Sequence, residues 1–193
     1  MKVLDAGDHP FSNADVLDWI QRKRAQHTRE DAEDKASAAA QPSSNKKDKH
    51  DKHDKTNPRP KNFMRMLERT ERELTSNRYP YAANPSSYTG DARRDVFQAF
   101  ALELENTMQD SLESEWSEKL KDMTPEQIEK LYEPQQERKC LTATELLMLY
   151  NHAPTCVEML QPMIESVEER FSAEEQATMV EIVVKHLRKD EGL

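Results

Sequence analysis

The run from Leu141 to Leu187 constrains this chain more than any other, because it combines helix-start signals with helical apolar spacing. Thr142-x-x-Glu145, Thr155-x-x-Glu158 and Ser172-x-x-Glu175 each fit a capping box. In that arrangement a hydroxyl and a carboxylate satisfy each other's free backbone N–H groups. After the second box, Val157, Leu160, Ile164, Val167 and Phe171 recur at three- and four-residue steps, one stripe of a helix. Met179, Val183 and Leu187 repeat the pattern after the third box, thickened by Val180 and Ile182. Leu146 to Tyr150 is apolar nearly all round, so the first short helix is expected to be the most buried. A compact three-helix unit follows, and the chain as a whole reads as all-α: only 3 glycines occur, too few for a turn-rich β architecture.

The remaining chain divides into 1–27, an N-terminal strand and helix; 28–61, a disordered charged linker; and 62–193, a helical bundle with its core signature at 141–187. Met1–Asp5 alternates as a β-strand does, but five residues cannot make a sheet alone. It is either a frayed end or an edge strand lent to a sheet on another chain. Ser12-x-x-Asp15 opens a helix through about Ala25, with Val16, Leu17 and Ile20 as its apolar side and Phe11 stapled to its first turn. Between Thr28 and Lys61 periodicity disappears. Residues 41–61 carry seven Lys/Arg against three Asp, a solvated tether by composition. His50 and His53 alternate with aspartates there, but metal ligands need a fold and supporting hydrogen bonds to hold them.

Helical spacing resumes over Asn62–Ser76, and YPYAANPSSYTG after it is turn material. Asp91 then caps a long segment to Thr124 in which Phe97, Phe100, Leu104, Met108, Leu112, Trp116 and Leu120 recur mostly every four residues. That spacing drifts round a helix, so the part after Met108 is expected to be exposed or bent. Thr124-Pro125-x-Gln127 starts another helix, with Pro at the first helical position, and Pro134 is expected to end it. Pro162 falls inside the middle C-terminal stripe, so that helix should kink or restart nearby.

Chemistry is sparse. There is no Gly-rich phosphate loop, no HExxH, no CxxC and no nucleophile elbow. Cys140 and Cys156 read as small buried side chains in a reducing compartment. His152 reads as a hydrogen-bonding group at a helix end, and the helical carboxylates as caps and solvated faces. Neither a signal-peptide pattern nor an eighteen-residue apolar run occurs, so a soluble, non-secreted protein without membrane attachment is expected. Residues 62–193 hold fifteen basic and twenty-six acidic side chains, a net of −11 that opposes duplex binding by the bundle. The expectation is a non-catalytic protein with no catalytic, cofactor-binding or metal-ligating residues.

The pattern LTATELLMLYNHAPTCVEMLQPMIESVEERF resembles the C-terminal signature of the smaller stalk subunit of eukaryotic RNA polymerase III. In animals that family is also called the calcitonin-gene-related-peptide receptor component protein. The shared features are Leu146 to Asn151, Pro154, Glu168-Glu169-Arg170-Phe171 and the helix from Ser172 to Leu187. MKVLDAGDHPFSNADVLDWI is similar to the family's opening, a hydrophobic strand, a spacer, then Phe-Ser-Asn and a helix.

The resemblance implies a bundle of the helicase-and-RNase-D C-terminal (HRDC-like) type, with the N-terminal strand added to a partner. It implies a nuclear heterodimer with the larger stalk subunit, which carries an oligonucleotide-binding barrel. Projecting from the polymerase core, that heterodimer contacts initiation factors and supports transcription of tRNA, 5S rRNA and other small RNA genes. Nucleic acid would be met at most indirectly. Carried over by position, Val3 and Leu4 would be strand residues facing the partner, and Phe11, Val16 and Leu17 would sit at the entry helix. Leu146, Leu149, Tyr150, Asn151 and Pro154 would form the motif beside that interface. The segment from Glu105 to Arg138 is longer than the family's. The paralogous stalk subunit of RNA polymerase II and a free-standing nucleic-acid-binding helical module remain alternatives. A solitary strand and an almost wholly apolar helix also suggest, independently, surface that only a second subunit can cover.

Overall fold

A computed structural model of the chain describes residues 11–40 and 60–192, and among them every regular element is helical. In chain order these are α1 (Asn13–Ala40), α2 (Lys61–Leu74), α3 (Pro85–Tyr88), α4 (Ala92–Lys121) and α5 (Pro125–Gln127). A π-helical turn (Ile128–Tyr132) leads into α6 (Glu133–Lys139). Then come α7 (Ala143–His152), a 3-10 turn (Val157–Met159), α8 (Val167–Arg170), α9 (Ala173–Leu187) and a second 3-10 turn (Lys189–Glu191). The strand expected at Met1–Asp5, with Val3 and Leu4, lies outside the described residues, as do His50 and His53.

The chain divides into two compact units, one formed by Asp15–Thr75 and the other by the rest. In the smaller, α1 and α2 run antiparallel: Arg24 of α1 pairs with Glu71 of α2, and the His27 ring meets that of Phe63 at 6.4 Å. Leu67 and Leu74 are buried here, while Met66 is exposed. Two expectations change. The first helix does not stop near Ala25 but continues to Ala40, because residues 28–40 hold neither Pro nor Gly and are rich in Ala and straight-chain residues that favour helix. The helix at 61–74 also belongs with α1 rather than with the C-terminal bundle.

The larger unit is built on α4 packed against α9. Phe100, Leu104, Met108 and Leu112 of α4 and Met179, Val183 and Leu187 of α9 are sealed from water, with Leu149, Leu160, Ile164 and Phe171 completing the core. Contrary to expectation, α4 remains one unbroken helix to Lys121 and still buries Leu112. The four-residue spacing does rotate the stripe, but a second neighbour receives it: the hairpin through α5 and α6 folds back, and Trp116 meets Tyr132 at 5.6 Å. Pro134 does not terminate that hairpin either. The π turn ahead of it bonds Glu133 N–H to Ile128 O, and this wider register leads into α6 with Pro134 in its first turn.

The middle C-terminal helix is also absent as a continuous element. Thr155 and Glu158 form no capping box; the chain passes through the 3-10 turn at Val157–Met159, irregular turns around Pro162, and Ser166 at φ 49° before α8. Leu160, Ile164, Val167 and Phe171 are nevertheless all buried. The apolar spacing survives because successive turns advance the chain almost as a helix would, while Pro162 removes the hydrogen bond that a true helix needs.

Leu104→Ala should cost about 2–5 kcal/mol in urea unfolding, since it leaves a cavity in a fully closed site. Leu102→Ala, on the same helix but 60% exposed, should change stability by less than about 0.5 kcal/mol.

Candidate functional site

The residues carrying the sequence signature converge on α7, and both ends of that helix are fastened by polar side chains. At its N-terminus Thr142 and Glu145 form the expected capping box: Glu145 N–H donates to Thr142 Oγ1 at 3.2 Å, and Thr142 N–H donates to Glu145 Oε2 at 2.8 Å. The same carboxylate, almost fully buried, accepts from the Glu165 N–H at 3.0 Å and from the Arg170 guanidinium, whose Nη2 lies 3.2 Å from Oε2. Arg170 also donates to the carbonyls of Arg138 and Cys140. Burial pushes the Glu145 pKa up, but the Arg170 guanidinium and the Thr142 and Glu165 N–H groups outweigh it, so the carboxyl is held below its ordinary value.

At the other end of α7 the last carbonyls would be orphaned in a buried setting. Tyr88 Oη–H donates to Tyr150 O at 3.0 Å, Tyr81 Oη–H to Asn151 O at 2.7 Å, and Arg188 Nε–H to Ala153 O at 2.7 Å. Ala153 takes the left-handed conformation, φ 41°, that closes the helix, and its N–H reaches Leu149 O at 2.8 Å. Desolvation by burial raises the pKa of both tyrosines well above the ordinary phenol value, so they remain donors at any physiological pH. The buried Asn151 side chain accepts the Asn13 N–H at 2.9 Å through Oδ1, satisfying the first free donor of α1.

Each residue singled out in the sequence can now be placed. Leu17, Leu146, Leu149, Tyr150, Asn151 and Pro154 are buried within the chain's own fold. Val16 is half-buried, and Phe11 is 78% exposed. The greasy surface expected of α7 is therefore covered by the chain itself; among the described residues the exposed large apolar ones are Phe11, Trp19, Met66, Leu102 and Leu131. Cys140 and Cys156 are exposed rather than buried, because each lies in the chain just outside a helix end. The His152 ring lies 5.9 Å from that of Tyr79 instead of bonding at the helix end.

The sequence reading missed YPYAANPSSYTG, taken as a mere turn. Its Tyr81, Asn84, Ser87 and Tyr88 are all buried, and Ser87 Oγ–H donates to His186 O at 2.8 Å, tying α3 to α9. The overlooked signal was the pairing of several tyrosines, whose hydroxyls need acceptors when buried, with almost no glycine.

Between α6, α7 and α8 an open cleft of about 700 Å³ is lined by Arg138, Cys140, Met148, Pro162, Met163 and Arg170, among others. Arg170, the less exposed of its two arginines, is already committed to Glu145 and backbone carbonyls. Among the described residues no group of three or more His, Cys, Asp or Glu could hold a metal, and no helix is long and apolar enough to cross a membrane. No family model, curated protein or solved structure matches the chain.

Because Glu145 is held below its unfolded pKa, its contribution to stability is complete above the ordinary carboxylate range and is lost as the pH falls through its folded pKa. Glu145→Gln should lower stability by about 3 kcal/mol at neutral pH by stranding Arg170. The gap from the unaltered chain should close as the pH drops below about 4, measured by urea unfolding across a pH series.

Proposed function

We propose that this chain is a non-catalytic assembly subunit, the smaller stalk subunit of RNA polymerase III, acting in the nucleus as a heterodimer with the larger stalk subunit. The observation that supports the reading most is the bond from Asn13 N–H to Asn151 Oδ1. The two stretches whose sequences resemble the family, Phe11-Ser12-Asn13 and the α7 signature, are 138 residues apart and meet at this contact. Phe11, left 78% exposed beside it, is then the apolar residue offered to the partner. The all-helical body accords with an HRDC-like bundle, and the closed hydrogen-bond networks at both ends of α7 suit a rigid scaffold better than an active site.

Affinity purification of the tagged full chain from cells of its source, followed by mass spectrometry, should recover the largest subunits of RNA polymerase III. Recovery of the RNA polymerase II subunits would assign the chain to the paralogue instead, and recovery of neither would end the polymerase reading. Phe11→Asp should reduce polymerase capture severalfold while leaving the melting temperature of the isolated chain unchanged.

A further inference from the structure

The net charge of −9 is distributed very unevenly. Residues 76–193 carry twelve Lys/Arg and twenty-three Asp/Glu, a net of −11, whereas residues 15–75 carry fifteen and twelve, a net of +3. Within α2 the cations are ordered. Lys61, Arg65, Arg69 and Arg72 are all exposed and follow steps of four, four and three residues. At 100° per residue they share an arc of about 80° along about 17 Å of helix. That arc lies directly opposite the face that buries Leu67 and Leu74. Glu68 borders the ridge on one side and Glu73 lies beyond its other edge, while Glu71 pairs with Arg24 of α1.

The outward face of α1 shows what an ordinary solvated surface looks like in this unit. There two acids, Asp18 and Glu33, flank two arginines, Arg22 and Arg29, for no net charge, and Arg22 pairs with Asp18 at 2.6 Å. On the α2 ridge the four cations outnumber the acids beside them, and among the described residues no ion pair involves Lys61, Arg65, Arg69 or Arg72. Arginine supplies three of the four cations, and its planar fork holds phosphate oxygens in pairs.

We infer that the Lys61–Arg65–Arg69–Arg72 ridge of α2 binds the phosphate backbone of a single-stranded nucleic acid. A single strand fits better than a duplex, whose higher charge density is repelled more strongly by the net −11 of residues 76–193. A lipid surface fits poorly, because an interfacial helix must free its apolar face and α2 has packed Leu67 and Leu74 inside. The inference stands apart from the polymerase reading and survives or fails without it.

The test is fluorescence anisotropy of a labelled uridine 20-mer with the full chain at several salt concentrations. Four phosphate contacts should give a slope of log K against log salt near −3, at about 0.7 per contact. Arg65→Glu/Arg69→Glu/Arg72→Glu should lose at least about tenfold in affinity. The Gln version of the same triple variant should shrink the slope by about 2. Arg22→Gln/Arg29→Gln on α1 should bind as the unaltered chain does, and circular dichroism should show every variant folded. No binding at low salt, or binding that both triple variants retain, would overturn the inference. So would ridge-dependent capture by phosphatidylserine vesicles or polyglutamate without binding of the oligonucleotide.

Discussion

A buried helix end is the constraint on which the larger unit depends. The carbonyls that close α7 have no partners within the helix, and leaving one of them unsatisfied away from water would cost about 1–3 kcal/mol. Tyr81, Tyr88 and Arg188 supply the donors, the two tyrosines from one segment and the arginine from just beyond α9. Meeting that single requirement pulls the 79–89 segment across α7. Once there, the segment ties itself to the C-terminal end of α9: Ser86 Oγ–H donates to Asp190 Oδ1 at 2.7 Å, and Asn84 Nδ2–H to Glu191 Oε1 at 2.6 Å. What looks like a connecting turn is in effect a strap joining two helices.

The same device occurs twice at helix starts. Glu145 and Glu175 each complete a capping box and each also accepts from a cation at the end of another helix, Arg170 from α8 and Lys139 from α6. For Glu175 the Lys139 Nζ distance is 2.6 Å, and Ser111 Oγ–H adds a further bond at 2.8 Å. Burial again pushes the Glu175 pKa up, and these donors together with the Ser172 N–H outweigh it and lower it. A carboxylate at a helix N-terminus and a cation at a C-terminus both lie favourably in the field of aligned peptide dipoles. Two buried charges are tolerable here because every oxygen has a donor.

Local rules served best where one stretch of chain decides its own conformation. The capping boxes at Thr142 and Ser172, the apolar residues of α4 and α9, and the helix start at Pro125 were all legible, since each depends on neighbours within a turn or two. Thr155 misled because a capping box needs a helix to cap, and Pro162 seven residues later denies it one. Burial of the two cysteines was assumed from residue type, whereas their positions beside helix ends decided it. The α7 surface was misjudged for a related reason: sequence spacing shows that a helix is apolar but not that its own chain will cover it. Residues 84, 87 and 88 were unreadable as core because their partners lie between 62 and 107 positions away.

The π turn at Ile128–Tyr132 makes the hairpin unusually sensitive to chain length. A π turn holds one residue more than the α-helical turn it replaces, so it fixes the angular phase of everything downstream. Lose one residue there and α6 would regularise, swinging its remaining side chains by about 100° about the axis. Lys139 would then point away from Glu175, even though neither residue had been touched. The surplus residue thus acts as a phase-setting spacer, and the segment 128–132 should tolerate substitution far more readily than deletion.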